Sequence, residues 1–164
     1  MSSKIAALAG AVIALVASSP VHATGVRTDK NLSLDLASTI AETALATCRG
    51  NGFHVSITVL DRAGEALVFF RDDGASPHTV ENSRRKAYTA RTFGIPSSEF
   101  AGHISEPPRQ AQATLPGIIA LAGGLPIKAG SEVIGSIGVS GSPGGEKDEA
   151  CGQAGIDKVA DQLK

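Results

Sequence analysis

Between residues 32 and 49, apolar Leu36, Ala37, Ile40, Ala41, Ala44, Leu45 and Cys48 recur at steps of three and four. That spacing lines one face of an amphipathic helix, which Gly50-Asn51-Gly52 closes. Phe53, Val55, Ile57 and Val59 then alternate with His54, Ser56 and Thr58, the pattern of a strand with one wet face. Asp61-Arg62-Ala63-Gly64 is a tight turn, and a second strand over residues 66–70 completes an antiparallel hairpin. Ser76-Pro77 supplies an N-cap and a first-position proline for a helix over residues 77–93, stopped by Gly94 and Ile95-Pro96. Ser97-Ser98-Glu99 caps a short helix ending at His103, and residues 106–117 carry no clear period. Three short apolar segments, 118–122, 125–128 and 132–139, are split by Gly123-Gly124 and Gly130-Ser131, which predicts a meander of strands. A Gly/Pro-rich loop at residues 141–145 leads to a last helix from about Asp148. The order predicts an α+β domain in which an antiparallel sheet of about five strands is flanked by helices.

Ahead of this domain stands a different pattern. Lys4 is followed by an apolar run over residues 5–17, a break at Ser19-Pro20, and small residues at Val21 and Ala23 flanking His22. This is the composition of a signal peptide over residues 1–23, cleaved after Ala23, with residues 24–164 as the mature domain. The run is shorter than the roughly 20 residues a membrane span needs. The expected location is therefore periplasmic or secreted, and no other run is apolar enough to span a membrane. Fifteen Lys and Arg against 16 Asp and Glu leave a near-neutral chain, without the basic patch that nucleic acid requires.

Cys48 and Cys151 are the only cysteines. Export permits them to pair, but both fall on apolar faces of predicted helices, and the expectation is two buried free thiols. They lie far apart in sequence, outside any Cys-x-x-Cys pair, which argues against a redox or zinc role.

Five strings occur in a recognisable order: Val59-Leu60-Asp61-Arg62-Ala63-Gly64, Arg71-Asp72-Asp73-Gly74-Ala75, Arg85-Lys86-Ala87-Tyr88-Thr89-Ala90, Gly123-Gly124-Leu125-Pro126-Ile127 and Gly135-Ser136-Ile137-Gly138-Val139-Ser140-Gly141. Together they resemble the GlcG/HbpS family of heme-binding proteins, itself similar to the C-terminal domain of PduO-type proteins. The resemblance spans residues 32–164. It implies a profilin-like fold, assembly into homo-oligomers, and binding of heme or its iron; fold carries over more safely than ligand.

Heme requires an apolar slot, an axial ligand and donors for its propionates. His78 is the first candidate for the iron, because the first turn of a helix keeps an imidazole neutral and able to ligate. His103 is the weaker alternative, and His54 is read as a solvated surface residue. Thr79 and Tyr88 offer oxygen donors near His78. Arg84, Arg85 and Lys86 lie about two turns further on, where a cation could meet a propionate or simply form a solvated basic face. Asp72 and Asp73 could hold a hard cation, or cap and solvate their turn. The glycines at 135, 138 and 141 sit inside a strand, not between strand and helix, so a dinucleotide loop fails its context. Glycine in a strand marks close approach of a backbone or ligand, which suits an oligomer interface or a flat cofactor.

The leading expectation is a secreted protein that stores, buffers or presents heme. One rival is an enzyme acting on heme or a small organic acid, although no nucleophile and base pair is identifiable. The other is an oligomeric accessory protein without a small-molecule ligand.

Overall fold

The computed structural model describes Gly25 and residues 27–164, so the signal-peptide reading of residues 1–23 lies outside the described residues. The first helix, α1 (Leu34–Gly50), is capped by Ser33, whose side chain accepts the Leu36 N–H at 3.3 Å. Asp35 in its first turn and Arg49 in its last complement the helix dipole. The hairpin follows as β1 (Ser56–Asp61) and β2 (Ala66–Arg71). Helix α2 (His78–Phe93) ends where the sequence predicts, at Gly94 with φ +70, whose N–H donates to the Ala90 carbonyl. After α3 (Ser97–His103), the segment without a clear period forms a short 3-10 helix, Arg109–Thr114. The chain closes with β3 (Gly124–Ala129), β4 (Glu132–Ser140) and α4 (Gly145–Lys158).

The sheet is antiparallel with strand order β2-β1-β4-β3. It has four strands, not about five, because residues 118–122 do not pair. That segment is instead tied to helices: Thr89 Oγ1 accepts the Ile119 N–H at 2.9 Å, and Ser97 Oγ donates to the Leu121 carbonyl at 2.7 Å. The two expected serine caps correct in the same way. Ser97 spends its hydroxyl on Leu121 and on accepting the Gly124 N–H, and α2 has no side-chain cap, Thr79 N–H donating instead to the Ser76 carbonyl.

Helices α1 and α4 cover one face of the sheet and α2 with α3 the other. The apolar core lies on the first face, where Ile57, Val59, Ile137, Val139, Leu125 and Ile127 meet Ala37, Ile40, Ala41 and Ala44. The expected pair of free thiols is overturned here, because Cys48 of α1 and Cys151 of α4 form a disulfide with a Cα–Cα separation of 5.6 Å. The face of β1 read as wet is also buried. Ser56 pairs with Thr79 at 2.8 Å and Thr58 with Ser83 at 2.9 Å, so the polar alternation of the strand matches a polar stripe on α2. Gly138 lets that helix settle: a Cβ there would run into the Ser83 carbonyl and the Ala87 nitrogen. The glycines of β4 therefore admit the chain's own backbone, not a flat cofactor or a neighbouring molecule.

Candidate functional site

Where α2 begins, the Leu121–Ala122 segment and the β4–α4 loop leave an open cleft of about 280 Å³. His78, Thr79 and Lys86 come to it from α2, and Ser140, Ser142 and Asp148 from the opposite wall. Lys86 is not part of a solvated basic face. Its side chain is 5% exposed, and Nζ donates to Asp148 Oδ2 at 2.8 Å and to the Val139 carbonyl at 3.0 Å. Asp148 is completed by the Ser142 N–H on Oδ1 at 2.9 Å. A buried charge needs such a partner, since removal from water alone is costly. The pair thus fixes the register of α4 against α2, and with it the shape of the cleft. Sequence reasoning found Lys86 but not Asp148, whose only sequence signal was its place at the start of the last helix.

His78 is exposed at the cleft, whereas Thr79 is buried and committed to Ser56 and the Ser76 carbonyl. The remaining predicted residues do not reach this cleft. Arg85 donates to the Ile118 carbonyl, and the Tyr88 ring packs between Gly64 and Gly117. His103 lines a second opening of about 390 Å³, beside Arg109 and the stacked rings of Phe93 and Phe100, 4.3 Å apart. Among the described residues no three His, Cys, Asp or Glu side chains gather into a metal site.

Asp72 corrects the reading of its loop as a solvated turn. Its side chain is 3% exposed, and Oδ1 accepts Nε and Nη2 of Arg49 at 2.9 and 2.6 Å, together with the Asp73 N–H at 2.8 Å. The Arg49 guanidinium holds this carboxyl below the usual aspartate range, against the opposing effect of burial. His54 is exposed, as expected, but its Nδ1 stands 3.4 Å from Asp72 Oδ2.

The architecture and the cleft define a small α+β domain with helices on both faces of its sheet and a polar opening at the start of α2. The chain belongs to the HbpS-like family, whose model, described as haem degrading protein HbpS-like, matches residues 32–157. Protein GlcG of Escherichia coli K12 is 31% identical over 115 residues, 70% of this chain and 85% of GlcG. The crystal structure of a double Glu-to-Asp variant of HbpS from Streptomyces reticuli is 37% identical with a TM-score of 0.77, covering 87% of this chain and 98% of that one. The PduOC:heme complex has the same fold at 21% identity, with a TM-score of 0.69 over 77% of this chain and 93% of that one. No helix among the described residues is long and apolar enough to cross a membrane.

Proposed function

We propose that this chain is an exported, homo-oligomeric protein that binds heme and stores, buffers or presents it or its iron outside the cytoplasm. The observation that carries the reading is an exposed imidazole, His78, at the mouth of a cleft that α2, β4 and α4 build together, in a chain of the HbpS-like family. His78 offers an axial ligand, and the hydroxyl of Ser140 offers a donor to a carboxylate. Lys86 is already paired with Asp148 and is not free for a propionate. At about 280 Å³ the cleft falls just short of the roughly 300–1,000 Å³ that encloses drug-sized ligands. One subunit therefore fits the edge of a macrocycle, and a neighbouring copy would cover the rest.

Two features support export and assembly. The Cys48–Cys151 bridge suits an oxidising compartment, in line with the signal-peptide pattern. Strand β2 is a sheet edge without proline or lysine, and it exposes Phe69, whereas the other edge, β3, is guarded by Pro126 and exposed Lys128.

The test is a heme titration of the protein beginning at Thr24, followed by absorption spectroscopy beside His78→Ala and His103→Ala. Saturable binding at one heme per subunit or per interface, with the Soret band altered in one variant, supports the reading and names the site. No saturable shift removes heme from the function. The family's description as heme degrading favours a second reading, in which bound heme is turned over; steady bleaching with product formation under a mild reductant distinguishes it from storage.

A further inference from the structure

Two helices begin at the walls of the cleft. His78 opens the 16-residue α2 and Gly145 the 14-residue α4, and both residues line the opening. Neither helix start is capped by a side chain. The N–H groups of a first turn have no acceptor within their own helix, and each helix start carries roughly half a positive charge. Lys86 adds no net charge, because Asp148 cancels it. Ser140 lines the same cleft. By the period of two along β4 it shares with Gly138 the side that faces α2. It is only 4% exposed, and its hydroxyl has no hydrogen-bond partner among the described residues. A buried hydroxyl left in that state is costly, and a ligand with an acceptor oxygen removes the cost.

We propose that the cleft binds a small aliphatic monocarboxylate, whose oxygens accept the Ser140 hydroxyl and first-turn N–H groups of α2 and α4 and whose carbon chain lies against Leu121 and Ala122. Charge sets the class. Two half charges favour a single negative charge over the double charge of a phosphate. The Glu146 carboxylate lies beside Gly144 near the start of α4, but Glu146 is exposed to water, which screens it, and does not line the cleft. Size sets the length. A cleft of about 280 Å³ is smaller than the roughly 300–1,000 Å³ of drug-sized sites and suits an acid of a few carbons. Leu121 and Ala122 supply the apolar wall that such a chain needs and that an inorganic oxyanion would not use. The inference does not rest on the heme reading. A heme propionate presents the same chemical group, and a free acid separates the two because it carries no macrocycle.

The test is a heteronuclear NMR titration of the chain beginning at Thr24, with sodium butyrate at constant ionic strength and without heme. Saturable shifts of the His78, Ser140 and Gly145 amides are expected in wild type, and this map decides the matter without any variant. Ser140→Ala, checked for fold by circular dichroism, should bind butyrate about 10- to 100-fold more weakly, the loss of one hydrogen bond to a charged group. Wild type should prefer butyrate to acetate, and Leu121→Ala should narrow that preference. Shifts that rise linearly without saturating, or that fall away from the cleft, overturn the inference. So does wild-type affinity in a folded Ser140→Ala variant. Inorganic phosphate bound at these amides more tightly than butyrate would overturn the carboxylate assignment. Failure of the hemin titration leaves this inference standing, since butyrate is tested in the absence of heme.

Discussion

Lys86 and Asp148 face each other across the two halves of the fold, Nζ to Oδ2 at 2.8 Å, with side chains 5% and 3% exposed. Removing one partner strands the other as an uncompensated buried charge, which costs about 3–5 kcal/mol. Lys86→Met should lower stability by that amount in urea denaturation. Asp148→Leu should do the same, and the double variant Lys86→Met with Asp148→Leu should recover most of the loss. Simple additivity of the two single losses would show that the pair is not coupled as its geometry implies.

The disulfide joins residues 103 apart in sequence and ties α1 to α4 three residues beyond Asp148. Closing so long a loop stabilises by about 4–5 kcal/mol on chain-entropy grounds. A thiol assay on unfolded, unreduced protein should find no free cysteine. Replacing both cysteines by serine should lower the melting temperature markedly, since the cross-link is lost and hydroxyls replace two buried sulfurs. Two titratable thiols in protein purified without reductant would contradict the bridge.

At Gly138 sheet and helix approach closely, its missing Cβ leaving room for the Ser83 carbonyl. Gly138→Ala should destabilise by about 3 kcal/mol or more, the upper part of the range for overpacking, because the obstacle is backbone and cannot rotate away. The same change at exposed Gly50, where a Cβ meets nothing within 4 Å, should be stabilising or neutral in thermal denaturation.

These three relationships mark how much of the molecule could be read from its residues. The helices and the β1–β2 hairpin were legible because their apolar spacing is periodic and their ends carry glycine signals. The buried polar stripe was not. Ser56 and Thr58 alternate with valine and isoleucine just as exposed residues do, and only the matching Thr79 and Ser83 on a helix 23 to 25 residues away reveal that the face is covered. Residues 118–122 read as a strand by hydropathy, yet their partners are hydroxyls on α2 and α3, which no local period encodes. In the candidate site, His78, Thr79 and Lys86 were legible together from one helix. Asp148 and Ser142 come from a distant segment, and their meeting with Lys86 is encoded in no local pattern.

Phe69 tests assembly. Strand β2 is an edge of the sheet, and Phe69 on it is exposed. Phe69→Lys puts a charge on that edge without touching the core, so its circular dichroism should match wild type while its mass by light scattering falls to that of a smaller species. An unchanged mass would mean that β2 carries no interface between copies.

Asp72 sets a dependence on pH whose sign can be worked out. Its carboxyl is held below its ordinary value of 3.8, chiefly by the hydrogen bonds from Arg49, so the folded state favours the ionised form. A group depressed on folding contributes its full stability above the unfolded value and loses it as pH falls through the lower folded one. The contribution is therefore complete above about pH 4 to 5, a range set by the unfolded aspartate value, and disappears in more acid solution. Urea midpoints of wild type and Asp72→Asn, measured from pH 7 downward, should differ most at neutral pH and converge in acid. Because Asp72 joins the end of α1 to the turn before α2, amide exchange in residues 49–54 and 72–76 should rise first as the midpoints converge. A constant gap between the two proteins across this range would mean that the Arg49–Asp72 pairing does not contribute through the carboxylate charge.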